Sequence, residues 1–232
     1  MSVGQKAFAS PGSPDCFAFC GDVSLPSRIL LEFEASGLSP LESAEGRHAF
    51  FVERVRSALA ADFAGQRQTF TILHGARVGV GLALSFYLWS TSWSQIGLED
   101  KAEPLPTESV MALALGSGET PVRRQDVAWR HSDIGRTSRA VFSAFCDAIR
   151  SGEDRFSGGP PQIVSLYRRG NAEAIGVIFD GQRCLRGSVL PANDAARAGV
   201  EWRNELFERC DPQTMQRLPS AQPHARPKQV AG

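Results

Sequence analysis

One β-strand pattern followed at once by two helix patterns limits the folds open to this chain of 232 residues. Residues 15–22 alternate aromatic with smaller side chains and end in a Gly-Asp turn, which predicts a buried strand. Pro26 then suits the first turn of a helix that extends to about Ala35. A second helix is predicted from about Ala44 to Phe63, because its apolar residues recur three or four positions apart.

The rest of the chain groups its strands instead of alternating them with helices. The patterns first predict two or three strands over 68–89, an exposed connection at 92–108 and a short buried strand at 110–115. They then predict a helix that is capped near Thr137 and ends at Arg150. A three-stranded meander over 162–189 and a helix over 193–209 follow. The dipeptide Asp180-Gly181 is a strong hairpin signal within the meander. Strands grouped between grouped helices indicate an α+β layered domain, not a doubly wound sheet.

The predicted domain organisation is simple. Residues 1–14 are small and rich in Pro and Gly, which predicts a loose lead-in with at most a short extended piece around Lys6 to Phe8. Residues 15–209 are predicted to form a single domain. Residues 210–232 lack an apolar period and are predicted to be a flexible tail.

Composition and charge favour an ordinary globular protein. Apolar residues make up 42% and charged residues 22% of the chain, and the 25 basic residues balance the 25 acidic ones, so no nucleic-acid partner is expected. The longest apolar run, 78–89, is shorter than the roughly 20 residues that span a bilayer. The N-terminus lacks the pattern of a signal peptide. We therefore expect a cytoplasmic protein without a membrane partner.

The cysteines and histidines do not form a recognisable ligand motif. Five cysteines without a C-x-x-C pair fit a reducing compartment. Cys16 and Cys20 alternate with phenylalanines in the first strand and are expected to be inert core residues. Neither a metal nor another cofactor is predicted, because the histidines are scattered along the sequence. They are His48, His74, His131 and His224.

Three features together resemble the proteasome β-type N-terminal-nucleophile hydrolases, a superfamily that includes the bacterial heat-shock-locus protease subunit and uncharacterised bacterial proteasome-like proteins. They are residues 17–22 before a helix pair, the 110–115 strand running into Gly116-Ser117-Gly118 before a long helix, and the late meander. The resemblance covers roughly residues 6–189. It implies a four-layer αββα sandwich, two antiparallel sheets between helix layers, and self-association.

The resemblance also implies peptide or amide bond hydrolysis. In that family the nucleophile is the first residue of the mature chain, a threonine, serine or cysteine whose free α-amine takes its proton. Lys6 matches the assisting lysine, Ser117 is implied to orient the active-site terminus, and Gly116 and Gly118 lie where backbone N–H groups hold the oxyanion. Ser2, exposed by removal of the initiator methionine, is the candidate nucleophile in this sequence.

The chain departs from the family at its start. The two strands that bear the nucleophile and an aspartate have no counterpart, and Ser2 precedes Lys6 by only four residues. Three interpretations stay open: Ser2 is the nucleophile, the native protein has roughly 30 to 40 more residues upstream, or the chain is an inactive relative. The alternative function is a non-catalytic structural or interaction protein of the same fold that forms a homo-oligomer. A further alternative is a small-molecule-binding domain of an unrelated α+β fold.

Overall fold

The computed structural model describes residues 4–36, 42–61, 68–132 and 134–226. Within these ranges the protein has α+β structure and divides into two compact units. The N-terminal unit comprises Gly4–Leu105 together with Val164–Ala174. The C-terminal unit comprises Pro106–Ile163 and the described residues from Ile175 onward.

The N-terminal unit is built on one antiparallel sheet whose spatial order follows the chain. Its strands are β1 (Ala7–Ala9), β2 (Asp15–Gly21), β3 (Phe70–Val78), β4 (Ser85–Ser94) and β5 (Gly97–Ala102). Each strand pairs with the next, so β3 lies at the centre and β5 forms an edge. In this register Phe17 of β2 lies beside His74 of β3, and His74 lies beside Trp89 of β4.

Two helices, α1 (Ser24–Ser36) and α2 (Ala44–Ala61), contribute to the apolar core of this unit. Alternation in the strands directs every second side chain into that core, because successive residues of a strand point to opposite faces. The helices contribute residues spaced three or four apart, which share one helix face. The buried cluster consists of Phe8, Phe17, Phe19, Leu25, Ile29, Leu30, Phe33, Phe51, Val52, Val55, Leu59, Phe70 and Ile72.

The C-terminal unit combines helices with a smaller, mixed sheet. Its elements are α3 (Glu119–Arg130), α4 (Ser138–Ser151), most of β7 (Glu173–Phe179), β8 (Gln182–Leu185), β9 (Ser188–Val189), α5 (Ala192–Arg197) and β10 (Trp202–Asn204). The short strand β6 (Ile163–Ser165) lies mostly in the segment Val164–Ala174 of the N-terminal unit. Helix α4 packs on β7 through Phe142 and Cys146, which contact Val177 and Phe179. In the sheet order β10-β7-β8-β9, β10 runs parallel to β7 and the other pairs are antiparallel.

Several predictions of local structure are confirmed. The α+β class, the first strand and the helix pair are present, although Phe63, the predicted end of the second helix, lies outside the described residues. The extended piece near Lys6 is β1. Thr137 caps α4 by accepting a hydrogen bond from the Ala140 N–H at 3.3 Å. Asp180-Gly181 joins β7 to β8 as a hairpin.

Three segments were predicted wrongly. Residues 110–115 are not a strand, because in the structure they pair with no neighbouring strand and lead as irregular backbone into α3. Residues 92–108 are not simply a connection, since they complete β4 and form β5. The side chains of β5 are mostly exposed and several are charged, so this edge strand has the sequence pattern of a connection. The helix predicted over 193–209 ends at Arg197, and Trp202–Asn204 form β10.

Among the helices that the structure describes, none combines the length and apolar character needed to cross a membrane.

Gly176 of β7 provides a test of the packing against β10. It pairs in register with Trp202, and a Cβ atom at Gly176 would clash with the indole ring. Gly176→Ala is expected to lower the free energy of unfolding by about 1–3 kcal/mol, the usual cost of overpacking. Gly158→Ala is the control, because no atom lies within 4 Å of the added Cβ, and it should change stability by less than about 0.5 kcal/mol. Urea unfolding measures both, and equal effects would contradict close packing at Gly176.

Candidate functional site

The loop Gly116-Ser117-Gly118 forms the start of α3 and places one hydroxyl against a carboxylate. Gly116 adopts a φ of 90°, a conformation that favours glycine, and Gly118 is the N-cap residue of the helix. The Ser117 hydroxyl donates a hydrogen bond to Asp154 Oδ2 at 2.7 Å. A Cβ atom at Gly118 would lie 3.1 Å from Ser157 Oγ and 3.3 Å from Asp154 Oδ2, so the loop packs closely on this carboxylate.

Asp154 is a stabilised anion. The side chain of Ser157 hydrogen-bonds its carboxylate, and the Phe156 N–H donates to Oδ1 at 3.1 Å. Hydrogen bonds from Ser157 and Ser117 hold the pKa of Asp154 below its ordinary value, although partial burial acts in the opposite direction. We call Ser117, Asp154 and Ser157 the carboxylate cluster.

The carboxylate cluster is suited to holding a cation and unsuited to activating Ser117 as a nucleophile. A nucleophilic hydroxyl needs a partner that accepts its proton. Asp154 is a weak base because its pKa is lowered. Two hydroxyls around an ionised carboxylate can instead orient a positively charged group such as an ammonium.

The predicted site residues lie in different parts of the chain. Gly116, Ser117 and Gly118 lie together in the C-terminal unit. Lys6 belongs to the N-terminal unit, where its exposed ammonium lies 6.0 Å from the centroid of the Phe19 ring. Ser2 lies outside the described residues. Its role as nucleophile and that of Lys6 as assisting lysine stay predictions.

A second polar cluster is buried inside the N-terminal unit. His74 Nε2 lies 3.0 Å from Asp15 Oδ1, His74 Nδ1 lies 3.0 Å from His48 Nδ1, and His48 Nε2 lies 3.1 Å from Asp100. We call Asp15, His74, His48 and Asp100 the carboxylate–imidazole chain. At the buried end of this chain of side chains, Arg47 Nε donates a hydrogen bond to Asp15 Oδ2 at 2.7 Å.

Aromatic rings fix the two imidazoles in place. His48 stacks on the indole of Trp89 with centroids 4.3 Å apart and planes inclined by 10°. His74 stacks on Phe17 with centroids 4.5 Å apart. The side chains of His74 and Asp15 are fully buried, whereas that of Asp100 is 32% exposed. The carboxylate–imidazole chain therefore extends from the interior to the solvent.

Burial and neighbouring charges compete along this chain. Burial lowers the pKa of His74 against the effect of Asp15, and it lowers the pKa of His48 against the effect of Asp100. For Asp15, burial acts to raise the pKa, but hydrogen bonds from His74, Ser13 and Arg47 prevail and lower it. Asp15 is therefore the stable anion of the cluster.

The two histidines face each other and do not form a metal site. Their Nδ1 atoms are 3.0 Å apart, which is a hydrogen-bond distance with no space for an ion between them. In the parts of the chain that the structure describes, no group of three or more His, Cys, Asp or Glu side chains is arranged to hold a metal.

The cysteines are poor nucleophiles. Burial raises the pKa of Cys16 to about 12, and it also raises the pKa of Cys20 despite the nearby charge of Lys6. Burial raises the pKa of each of the other three thiols in the same way. Those are Cys146, Cys184 and Cys210.

The carboxylate–imidazole chain went unrecognised in the sequence although part of its signal was present. Asp15 alternates in step with Phe17 in β2, and His74 alternates in step with Ile72 in β3, so strand periodicity alone assigns both polar residues to the core face. The proximity of His48 to His74, which are 26 residues apart, arises only from tertiary packing. Asp154 had no signal beyond an ordinary loop carboxylate.

Comparisons of the chain with family models, with curated proteins and with solved structures find no match.

Arg47 tests the buried cluster. Arg47→Met removes the cation that compensates Asp15 and should lower the free energy of unfolding by about 3–5 kcal/mol, because a buried charge is left unpaired. Arg54→Met is the control on the same helix, where an exposed arginine pairs with Glu32 at 3.0 Å, and it should cost about 1 kcal/mol or less. Chemical denaturation of both variants gives the comparison. Similar losses would show that the Arg47 pair has no special role.

Proposed function

We propose that this chain is a proteasome-like protein of the N-terminal-nucleophile hydrolase type, with the four-layer αββα sandwich as its fold and peptide or amide bond hydrolysis as its chemistry. The observation that carries the proposal is the hydrogen bond from Ser117 to the ionised Asp154 at the start of α3. The resemblance to that family implies the same Gly-Ser-Gly loop as the part that orients the terminal nucleophile.

The chemistry of the carboxylate cluster supports this role. When an N-terminal nucleophile attacks a carbonyl carbon, its hydroxyl or thiol proton moves to its own α-amine, which becomes an ammonium. An ionised carboxylate stabilises that ammonium, and charge-assisted hydrogen bonds fix its direction. Asp154 meets this requirement because its pKa is lowered. The ammonium then donates the proton to the leaving amine as the C–N bond breaks, which leaves the acyl group on the nucleophile. Water hydrolyses this acyl-enzyme, the α-amine takes the proton of the water, and the nucleophile recovers it as the acid product leaves.

The remaining roles follow from the loop and the resemblance. Ser117 is a positioning residue, because its proton is directed to Asp154. Backbone N–H groups around Gly116 and Gly118, near the positive end of α3, are the proposed oxyanion donors. The resemblance alone implies the role of assisting cation for Lys6. The nucleophile is a terminal threonine, serine or cysteine outside the described residues, and Ser2 is its candidate in this sequence.

We also propose a cytoplasmic location and assembly into a homo-oligomer. Free thiols support the first, because all five cysteines are unpaired. The resemblance alone supports the second.

The native protein, purified with its own N-terminus, tests the proposed activity. Intact mass and N-terminal sequencing identify the terminal residue, and a peptide epoxyketone then tests it, since this electrophile reacts with both the nucleophile and the α-amine of such enzymes. A terminal Thr, Ser or Cys that gains the mass of the reagent supports the proposal. An unlabelled chain that begins at Met1 or Ser2 contradicts it and favours the non-catalytic interaction protein.

Asp154→Asn should slow epoxyketone labelling at least about tenfold, because a hydrogen bond to a charged group contributes about 1.5–3 kcal/mol. Asp211→Asn is the matched control. Asp211 belongs to the same unit, its pKa is likewise lowered by hydrogen bonds, above all from the Thr214 N–H, and it lies outside the carboxylate cluster. Labelling rates are compared at equal folded fraction, measured by circular dichroism. If both variants react equally fast, Asp154 does not hold the amine.

A further inference from the structure

The carboxylate–imidazole chain contains three hydrogen bonds that join four titratable groups in a row. They link Asp15 to His74, His74 to His48, and His48 to Asp100, at 3.0, 3.0 and 3.1 Å. Each hydrogen bond needs one proton between its two heavy atoms. Two carboxylates and two neutral imidazoles supply only two such protons, because a neutral imidazole carries one N–H. The observed geometry therefore requires a third proton.

Charge balance supports this count. The charged groups that face the two imidazoles are Arg47 on α2, Asp15 on β2 and Asp100 on β5. Without the third proton this set has one positive and two negative charges. With it, the set is neutral, which is the favourable state for a cluster whose side chains are mostly buried. A fourth proton is unfavourable, because both rings would then be imidazolium cations and their Nδ1–H groups would point at each other.

We propose that the carboxylate–imidazole chain holds one dissociable proton, and that this proton fastens the edge strand β5 to helix α2 through the His48–Asp100 bond. The strand and the helix have no other described side-chain hydrogen bond between them. The inference concerns the N-terminal unit and does not rest on the proposed hydrolase activity.

The bond that opens on loss of the proton is determined by burial. Asp15 and His74 are fully buried, so water cannot replace either partner in the hydrogen bond between them. Asp100 is 32% exposed and also accepts a hydrogen bond from Thr91 at 2.8 Å, so solvent can replace its contact with His48. On deprotonation His48 keeps its Nδ1 proton for His74, and its bare Nε2 then repels the Asp100 carboxylate. The released proton passes to solvent at this exposed end.

The proton count can be measured in the unmodified protein. Long-range ¹H–¹⁵N spectra report which imidazole nitrogens carry hydrogen, and below the transition they should show three protonated nitrogens on His48 and His74 together. Above it they should show two. The transition is expected at or below the ordinary histidine pKa of about 6.5, because burial lowers the pKa of both rings. A count of two at every pH at which the protein is folded would overturn the inference.

Asp100→Asn removes the need for the dissociable proton but keeps the three hydrogen bonds. The asparagine amide can donate to His48 Nε2, so two neutral imidazoles then satisfy all three bonds. Glu99→Gln is the matched control, since it removes the same charge from an adjacent exposed residue of β5.

Hydrogen exchange of the β5 amides, corrected for the intrinsic pH effect, gives the readout for these variants. Burial lowers the pKa of His48 and Asp100 opposes that effect, so with the ring still stacked on Trp89 the proton is held more tightly while β5 is attached than after Asp100 detaches. In the unmodified chain and in Glu99→Gln, protection of β5 relative to β3 should therefore fall about fivefold as the pH rises through the transition, the effect of losing one hydrogen bond. In Asp100→Asn it should not change. Equal pH dependence in the two variants, or none in the unmodified chain, would overturn the inference.

Discussion

The buried ion pair between Arg47 and Asp15 is the contact on which the N-terminal unit depends. The guanidinium of Arg47 also donates to the carbonyl oxygens of Glu42 and Arg77, so one side chain joins the start of α2 to β2 and β3. Taking these charges out of water is costly, and the cost is offset only when each polar atom has a partner. Here Asp15 also accepts from His74, so its carboxylate is bonded on both oxygens. These bonds are made in the observed register of β2 against β3, in which Asp15 lies beside Ala76.

The two units use carboxylates in different ways. Asp154 of the C-terminal unit lies near the surface, and its charge is favoured by hydroxyls and by a backbone N–H. Asp15 and Asp100 of the N-terminal unit instead terminate a chain of imidazoles, in which the position of one proton decides the hydrogen bonding. The first arrangement leaves a stabilised anion near the surface, whereas the second links fully buried groups to one partly exposed carboxylate.

Much of the secondary structure could be predicted because it follows local rules. The alternation in β2, the helical spacing in α2, the cap at Thr137 and the Asp-Gly hairpin each depend on residues close in sequence. The errors have a common cause. Residues 110–115 are apolar but find no partner strand, whereas β5 is polar and pairs with β4. A segment forms a strand only where a neighbouring strand pairs with it, whereas its hydrophobicity indicates burial alone.

For the site, the sequence by itself determined the Gly-Ser-Gly loop, although not the helix α3 that begins directly after it, and strand parity was enough to direct Asp15 and His74 inward. Only the tertiary structure decided which groups meet. Asp154 reaches Ser117 across 37 positions, and Asp100 reaches His48 across 52. The physical reason is that periodicity specifies the face on which a residue lies, whereas hydrogen bonding between distant residues requires the packing of whole elements.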